Sequence, residues 1–525
     1  MAKGKTRRVR RLIDKSKQSM KSVLFSRLGL IVILLLLQLG LLFGIFRWFE
    51  MFIPHLFGSA MLFNLLMVIV LLNSPADPSA KITWLIMIMV MPVAGSLLYL
   101  YTRSDIGHRA LKRRIAAINH ETRFDLRQRQ ETFERLREAD AGAAALARYV
   151  GRCGCQPVWE NTEVKYFPSG EEKLEALLDC LEGAKDFIFM EYFIVDEGVM
   201  WGQVLDILIE KARAGVEVRV MIDGTCEFTT LPHDYPERLK ELGIQCKLFA
   251  PATPFISTHY NYRDHRKIAV IDGQTGFTGG INLADEYINQ VERFGHWKDT
   301  AVMLRGDAVR NLTLMFLQMW SIDTSGIDTV RFLKCPIPKI ENSSGFVLPY
   351  SDCPLDDNKV GERVYMDILN RAKRYVHIMT PYLILDSTME NALKYAAERG
   401  VDVHLILPGQ PDKKYAWWLA RNHYASLMAA GVKISEYSPG FVHAKVFVAD
   451  DREAVVGTIN LDYRSLYHHF ECAAYMYGAA CVADIEEDFR RTLDRCTRMT
   501  EKRLEAIPRY QKFAGAALKA LSPLM

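Results

Sequence analysis

The chain has 525 residues, of which 50% are hydrophobic and 24% charged, and its formal net charge is +4. This length exceeds a typical single domain about threefold, which excludes one folding unit. The near balance of charge excludes a chain that is basic throughout, although residues 1–22 carry many Lys and Arg against one acid, Asp14. We interpret residues 1–22 as a basic cytoplasmic tail.

Residues 23–101 contain three apolar stretches that predict a membrane anchor. The first, 28–46, has Gln38 as its only strongly polar residue, and its length nearly matches a bilayer core of roughly 30 Å. The second, 56–72, contains Asn64, and the third, 82–101, contains Pro92. The first stretch is too long for a signal-peptide core and lacks a cleavage site, so we expect two or three retained helices. A buried helical hairpin of a soluble protein is the alternative.

The orientation of this anchor follows from the basic residues on both sides of it. The positive-inside rule favours the cytoplasmic side for the tail and also for the basic cluster after residue 102, which indicates two crossings. The dispersed cysteines suit a reducing compartment, and their spacing does not predict a zinc site. Residues 102–150, rich in Arg, Glu, Leu and Ala, predict a solvated helical linker without chemistry.

The body of the chain repeats itself. AKDFIFMEYFIVDEG at Ala184 is echoed by AKRYVHIMTPYLILDS at Ala372, and AGVEVRVMIDG at Ala214 by RGVDVHLILPG at Arg399. Matched phrases in one order predict two homologous halves, 151–335 and 336–525. Short β-branched runs alternate with helical segments in each half, which is typical of an α/β fold with a buried sheet. We expect the halves to pack about a pseudo-two-fold axis.

Each half contains a histidine followed two positions later by a lysine. In HRKIAVID, alternation along a strand places His265 and Lys267 on one face and Arg266 on the other. In HAKVFVAD, His443 and Lys445 repeat that arrangement. One such pair is weak support for a site, but two at matching positions indicate a functional site where the halves meet.

Further polar residues follow each pair at matching intervals. Asp272 and Asp450 close the motifs, and Asn282 and Asn460 follow in GGIN and GTIN. We include both aspartates among the candidate catalytic residues, although their position at strand ends favours a role in holding the fold or the two halves in register. The lysines and asparagines are candidate phosphate-binding residues.

These residue types suit transfer at a phosphodiester. Lysine and asparagine donors can stabilise a five-coordinate phosphorus, one imidazole can attack it, and the other can protonate the leaving alcohol. This chemistry requires no metal and no cofactor, and the residues do not decide which histidine attacks. Asp299 in HWKDT and Glu471 in HHFECAA can accept a hydrogen bond from the ring nitrogen that does not react; a surface position is the alternative for each.

The paired HxKxxxxD and GxxN motifs resemble those of the phospholipase D superfamily, and the wider pattern is similar to the bacterial cardiolipin synthases. The phrases with the closer likeness are NYRDHRKIAVIDG, TGGINLADEY, FGHWKDTAV, PYLILDSTM, GFVHAKVFVADD and GTINLDYRS. The resemblance implies mixed β-sheets flanked by helices, in a multi-pass protein of the bacterial inner membrane. It also implies that a phosphatidyl group passes between two phosphatidylglycerol molecules and that glycerol is released.

By the same resemblance, His265 is the nucleophile that carries the phosphatidyl group and His443 is the acid. One departure occurs at His468 and His469, where the family usually has Asn before the aromatic residue and acid matched by Phe470 and Glu471. The sequence leaves homo-oligomer formation open.

Other functions fit a paired motif of this kind. A hydrolase of the phospholipase D type shares the covalent step and differs in using water as the second attacking group. Another phosphatidyltransferase, such as a phosphatidylserine synthase, differs in the accepting headgroup. A nuclease requires a basic body for phosphate neutralisation, whereas this body is roughly neutral, so we expect no nucleic-acid partner.

Overall fold

The computed structural model describes residues 57–103, 109–154, 156–251, 262–324, 326 and 328–524, together with 37, 40 and 44. The chain divides into two compact units. One consists of Met1–Leu111, Pro251–Asn261 and Ala517–Met525, and the other of Lys112–Ala250 and Tyr262–Ala516. The predicted basic tail, and nearly all of the predicted first apolar helix at 28–46, lie outside the described residues.

The smaller unit contains three apolar helices, namely α1 (Phe57–Leu72), α2 (Pro78–Val90) and α3 (Pro92–Arg103). The predicted third stretch is therefore divided at Pro92, because proline lacks an amide hydrogen and fits the first turn of a new helix. Met67, Leu71, Ile88 and Tyr99 form a small buried cluster. In the described part of the chain, no single helix has both the length and the apolar character needed to cross a bilayer.

The larger unit begins with helices and then forms the first half of the repeat. Its helices are α4 (Arg109–Thr122), α5 (Gln130–Ala139), α6 (Ala141–Gly154), α7 (Gly170–Glu182), α8 (Val199–Arg213), α9 (Cys226–Thr229), α10 (Tyr235–Glu241), α11 (Val309–Trp320) and α12 (Val330–Leu333). Its strands are β1 (Thr162–Phe167), β2 (Phe187–Tyr192), β3 (Glu217–Asp223), β4 (Gln245–Phe249), β5 (Arg263–Asp264), β6 (Lys267–Ile271), β7 (Thr275–Gly279), β8 (His296–Lys298) and β9 (Ala301–Gly306).

The second half has the same pattern. Its strands are β10 (Phe346–Asp352), β11 (Tyr375–Met379), β12 (Asp402–Pro408), β13 (Lys433–Tyr437), β14 (Gly440–Val442), β15 (Val446–Ala449), β16 (Glu453–Gly457), β17 (His469–Tyr477) and β18 (Cys496–Arg498). Its helices are α13 (Val360–Arg371), α14 (Ser387–Glu398), α15 (Lys414–Ala429), α16 (Tyr463–Tyr467), α17 (Cys481–Leu493), α18 (Glu501–Glu505) and α19 (Arg509–Leu521).

Each half contains one mixed sheet, as an α/β repeat predicts. The first sheet has the order β1-β9-β7-β6-β2-β3-β4, and the second has the order β10-β17-β16-β15-β11-β12-β13-β18. β2 pairs in parallel with β3, across the connection that contains α8, and antiparallel with β6. β11 pairs in the same two ways with β12 and β15. The motif strands β6 and β15 therefore occupy equivalent central positions.

The predicted linker differs from a solvated helix. Residues 109–154 form three helices, and α5 and α6 bury an apolar face against the second sheet. Leu136, Ala143 and Val150 are almost fully buried in that core. The charged residues of this segment made it look solvated, but they occupy only the outer face of amphipathic helices.

Short strands of the two halves pair with each other next to the motif histidines. β5, which immediately precedes His265, pairs in parallel with the start of β17. β14, which immediately precedes His443, pairs in parallel with β8. The backbone N–H of His265 donates to the carbonyl of Phe470 at 3.0 Å, and that of His443 donates to the carbonyl of Lys298 at 2.7 Å. Each half therefore positions the histidine of the other.

Asp272 and Asp450 bind the backbone at the start of the neighbouring strand. The Asp272 carboxylate accepts from the N–H groups of Lys185, Asp186 and Phe187 at 2.8–2.9 Å. Asp450 accepts in the same way from residues 373, 374 and 375. Both aspartates have a positive φ, near 52° and 55°. These contacts support a role for both carboxylates in holding the fold, which is the role that their position at the strand ends favours.

Replacement of Asp272 by Ala should therefore destabilise the protein. The change leaves three N–H groups without their acceptor and puts a residue that disfavours positive φ into a left-handed turn. We expect a loss of about 2 kcal/mol in the free energy of unfolding, measured by chemical denaturation. Asp272→Asn, which tolerates this backbone, should lose less. A folded Asp272→Ala protein of unchanged stability but without activity would contradict the structural role.

Candidate active site

His265 is held by a carboxylate from the opposite half. Its Nδ1 lies 2.9 and 3.0 Å from the two carboxylate oxygens of Glu471. The parallel pairing of β5 with β17 continues to this point, because Asp264 faces Phe470 and the next residue on each strand is His265 or Glu471. The Glu471 side chain is fully buried, so its charge is not screened by water.

His443, in the second half, is held in the same way by a carboxylate from the first half. Its Nδ1 lies 2.6 Å from Oδ2 of Asp299, which is fully buried in the first half. The pairing of Val442 with Lys298 brings the following residues, His443 and Asp299, side by side. Both imidazoles make these bonds through Nδ1, which leaves Nε2 as the nitrogen for chemistry. The acids predicted to orient the histidines are therefore in contact with them, and the pairing crosses between the halves.

The two motif lysines are buried beside their histidines. Lys267 Nζ donates to the main-chain carbonyl of His265 at 2.5 Å. Lys445 Nζ donates to the carbonyl of His443 and lies 2.9 Å from Nδ1 of that ring. Arg266 points to the opposite side, where its guanidinium binds Glu191 at 2.5 Å. The alternation predicted from the sequence thus places histidine and lysine together in both halves.

The predicted phosphate-binding asparagines differ in their contacts. Asn282 accepts from the N–H of Ile194 at 3.0 Å and donates to the hydroxyl of Tyr287 at 2.7 Å. Asn460 lies 3.3 Å from Asp462 through Nδ2, and in the described part of the chain its buried Oδ1 has no hydrogen-bond partner. The structure therefore fixes Asn282 firmly and leaves Asn460 with an unsatisfied polar atom.

The residue after the first glycine differs between the two motifs: it is Gly280 in GGIN and Thr458 in GTIN. A Cβ on Gly280 would lie 2.1 Å from Oδ1 of Asp299, so only glycine leaves room for that carboxylate. At the equivalent position, the Thr458 hydroxyl donates to the Glu471 carboxylate. Asp299 and Glu471 are therefore positioned by different means.

Aromatic rings pack against both histidines. Tyr287 and Trp297 lie with ring centroids 5.4 Å from that of His443. Phe193 lies edge-on to His265 at 5.0 Å. The sequence analysis missed these rings, because isolated aromatic residues in a sequence are more often part of a core than of a site.

Burial and the lysines lower the pKa of both histidines. The pKa of His265 is held well below its usual range, first by burial and then by the charges of Lys267 and Lys445. The pKa of His443 falls to about 4, mainly through burial and Lys445 and against the opposing effect of Asp299. Both imidazoles are consequently neutral near pH 7, the form that an attacking nitrogen requires.

The lysine ammonium groups are also disfavoured by burial. The pKa of Lys267 is lowered to about 8 and that of Lys445 to about 7, and in both cases Asp299 and Glu471 oppose the effect. The pKa of each lysine therefore depends on the acids of both halves. The two histidines, two lysines and two acids therefore affect one another's protonation as one electrostatic unit.

Two further basic side chains, Arg266 and Lys173, are buried near the motifs, and the sequence analysis did not predict the burial of either. Arg266 and its partners Glu191 and Asp264 form an ion-pair cluster directly behind the first motif. Lys173 donates to the hydroxyl of Tyr192 at 3.1 Å, and burial lowers its pKa to about 7. Lys173 lies on an amphipathic helix, α7, and is not part of any motif identified in the sequence. The sequence therefore did not distinguish it from a solvent-exposed lysine.

Comparisons with known proteins agree with this geometry. A family model described as "Cardiolipin synthase, PLD-like domain" matches residues 177–320 and 365–493, and one described as "Phospholipase_D-nuclease N-terminal" matches residues 62–103. A cardiolipin synthase of Alkalihalophilus pseudofirmus is 34% identical over 85% of this chain and 89% of its own length. The chain belongs to the cardiolipin synthase family of phospholipase D-like proteins. It is a phosphatidyltransferase.

Other relatives of this cardiolipin synthase family member cover most of its length. A cardiolipin synthase of Halalkalibacterium halodurans is 32% identical over 95% of this chain and all of its own. An uncharacterized protein of Streptococcus mutans is 54% identical over 87% of this chain and 99% of its own. The crystal structure of a phosphatidylserine synthase from Haemophilus influenzae aligns with 72% of this chain and 97% of its own, at 16% identity and a TM-score of 0.55. That last likeness concerns the fold alone.

The depressed histidine pKa predicts acid sensitivity of this family member. In the unfolded chain His443 takes up a proton near pH 6.5, whereas in the folded protein it does so only near pH 4. The unfolded state therefore binds more protons in this window, and the free energy of unfolding falls as the pH falls from 6.5 to 4.

Removing this imidazole should flatten that dependence. We expect His443→Gln to reduce the slope of unfolding free energy against pH by up to about 1.4 kcal/mol per pH unit between pH 4 and 6.5. This slope is measured by urea denaturation at several pH values. His120→Gln, at an exposed position, is the matched control and should keep the wild-type slope. An unaltered slope in His443→Gln would contradict a neutral buried imidazole.

Proposed function

We propose that this phosphatidyltransferase is a membrane-bound cardiolipin synthase. It transfers a phosphatidyl group from one phosphatidylglycerol molecule to another and releases glycerol. The observation that carries the proposal is the crossed pair of imidazole–carboxylate bonds, His265 with Glu471 and His443 with Asp299, in one buried site with two lysines. Curated relatives named cardiolipin synthases, at 32–34% identity over most of the chain, support this choice of substrate.

In the first step, Nε2 of His265 attacks the phosphorus of phosphatidylglycerol. A phosphorus–nitrogen bond forms, and the bond from phosphorus to the glycerol oxygen breaks. His443 gives its proton to that oxygen, so glycerol leaves as the neutral alcohol. Glu471 stabilises the positive charge that develops on the His265 ring.

In the second step, His443 acts in reverse. It takes the proton of a hydroxyl on the glycerol headgroup of a second phosphatidylglycerol, and the resulting oxygen attacks the phosphatidyl-histidine. The phosphorus–nitrogen bond breaks, His265 is regenerated, and cardiolipin leaves. Asp299 keeps His443 in the tautomer that accepts at Nε2. Lys267, Lys445, Asn282 and Asn460 bind the non-bridging oxygens.

Charge balance explains how a neutral His443 becomes an acid. With both lysines charged, both acids ionised and both imidazoles neutral, the six side chains have no net charge. A phosphodiester adds one negative charge to this buried site, and a proton on His443 then restores neutrality. Substrate binding therefore raises the pKa of the imidazole that must donate.

Two features support a lipid substrate at a membrane. The side chains of Met61, Leu62, Leu65, Leu66 and Ile69 on α1 are 47–76% exposed, which suits contact with lipid. The apolar stretch 28–46 precedes them in the sequence. We propose that this part of the chain anchors the enzyme to the cell membrane, with the catalytic body on the cytoplasmic side.

Transfer is favoured over hydrolysis because the reacting groups are shielded. His265 and His443 are only 6% and 7% exposed, and aromatic rings lie against both. A site that excludes water protects the phosphatidyl-histidine until a lipid hydroxyl arrives. Hydrolysis, or transfer to a headgroup such as serine, remains the second candidate, because the covalent step is common to all three.

Substitution of the proposed acid tests the two-histidine mechanism. His443→Ala should lower the rate of product formation by about 10³-fold while the protein stays folded, since the change removes the proposed general acid. The assay follows cardiolipin by thin-layer chromatography. His120→Gln is the control at an exposed site. Wild-type activity of His443→Ala would remove this mechanism.

The covalent intermediate distinguishes the two histidines. After rapid quenching with labelled phosphatidylglycerol, the phosphatidyl group should be found by mass spectrometry on the peptide that contains His265. A group on the peptide that contains His443 would reverse the two roles, and His265→Ala is the control that should carry no label.

The products decide between transfer and hydrolysis. Purified protein incubated with labelled phosphatidylglycerol alone should form cardiolipin and free glycerol in equal amounts. Phosphatidic acid as the only lipid product would favour a hydrolase. Phosphatidylserine as the main product after addition of serine would favour the alternative headgroup.

A further inference from the structure

A third imidazole lies in the site and takes no part in the mechanism above. His469 is 6% exposed, and its ring centroid lies 5.2 Å from that of His265. In the described part of the chain, neither ring nitrogen of His469 has a hydrogen-bond partner. Buried polar atoms without a partner are uncommon, and each needs an explanation.

His469 also faces the carboxylate that holds His265. Its Nδ1 lies 3.6 Å from Oε1 of Glu471, which is 2.9 Å from Nδ1 of His265. One ligand atom from each of these three residues lies within 4.8 Å of the others. In a tetrahedral zinc site the ligand atoms are separated by about 3.3 Å, given bonds of 2.0–2.1 Å to nitrogen and oxygen. Small side-chain rotations would therefore bring all three onto one ion.

We propose that His265, His469 and Glu471 form an inhibitory binding site for a divalent transition-metal ion, with Zn²⁺ as the matching ion. Two imidazoles and one carboxylate are a ligand set that zinc uses in proteins, with a fourth position open to water. Mg²⁺ and Ca²⁺ prefer oxygen ligands and should bind poorly here.

Charge does not oppose this site as a whole. Lys267 and Lys445 contribute at most two positive charges, and the carboxylates of Glu471 and Asp299 balance them, so the ion enters a buried site without net positive charge. The ammonium groups also donate to the carbonyls of His265 and His443. These bonds hold the two charges next to main-chain oxygens.

The ion would inhibit the transfer reaction, and this part of the inference rests on the proposed function. A metal bound to His265 and Glu471 withdraws electron density from the ring and breaks the bond that stabilises its positive charge. The imidazole then becomes a poorer nucleophile. Zinc in this site is an inhibitor and not a cofactor.

Direct metal binding tests the site independently of activity. The purified full-length protein in detergent is titrated with ZnCl₂ by isothermal calorimetry, and bound zinc is counted after dialysis. Wild type should bind one more ion per chain than His469→Asn. His468→Asn, which removes the neighbouring imidazole, is the matched control and should bind as wild type does. Equal zinc binding by wild type and folded His469→Asn would overturn the site.

A measurement on the unchanged chain guards against a variant that fails to fold. Zn²⁺ should protect the peptides that contain His265 and His469 from modification by diethyl pyrocarbonate, read by mass spectrometry, whereas Mg²⁺ should not. Unchanged modification in the presence of Zn²⁺ would contradict the proposal.

The inhibitory effect has its own readout. Zn²⁺ should inhibit cardiolipin formation by the wild type, a chelator should restore it, and the concentration for half inhibition should rise at least about tenfold in His469→Asn. Zinc binding without inhibition would overturn the inhibitory role and leave the metal site. A protein that forms no cardiolipin but binds zinc through His469 would reject the proposed function and not the site.

Discussion

The active site depends on a reciprocal hydrogen-bond pairing between the two halves. Each motif histidine takes its main-chain partner and its carboxylate from the strand of the other half. Because parallel strand pairing fixes the register, the bond from His265 to Phe470 brings Glu471 to the ring without further adjustment. The same holds for His443, Lys298 and Asp299. Neither motif histidine takes its carboxylate from its own half.

This pairing places charged groups where water cannot screen them. The lysines lower the pKa of the histidines, the acids oppose that effect, and the aromatic rings maintain the burial. The charges nearly balance, so the protonation of each group depends on that of its neighbours. A site at the surface would lack this sensitivity, because solvent would screen each charge separately.

Much of this arrangement could be predicted from the sequence, because it depends on patterns among residues that are close together in the chain. The repeated phrases predicted two homologous halves. The alternation along a strand predicted that the side chains of His265 and Lys267 share one face and that Arg266 lies on the other. Asp299 and Glu471 were proposed from their position downstream of each motif, and the structure places both in contact with a motif histidine. The sequence did not predict that each motif histidine takes its carboxylate from the other half. This pairing depends on how the two halves pack, which no local sequence pattern determines.

Other features were hidden for different physical reasons. Charged residues on one face of α5 and α6 concealed that the opposite face is buried in a core. Lys173 resembles any helical lysine until the fold encloses it. Thr458 looks like a simple change from Gly280, yet its hydroxyl binds Glu471, whereas Gly280 leaves room for the Asp299 carboxylate. These properties arise from tertiary packing and not from neighbours in the sequence.

The position of Glu471 late in the chain has a consequence for biosynthesis. A ribosome-bound polypeptide that has not yet reached β17 already contains His265, but the carboxylate that supports it is still missing. The His265 ring therefore gains its orienting partner only after β17 has been synthesised and has paired with β5.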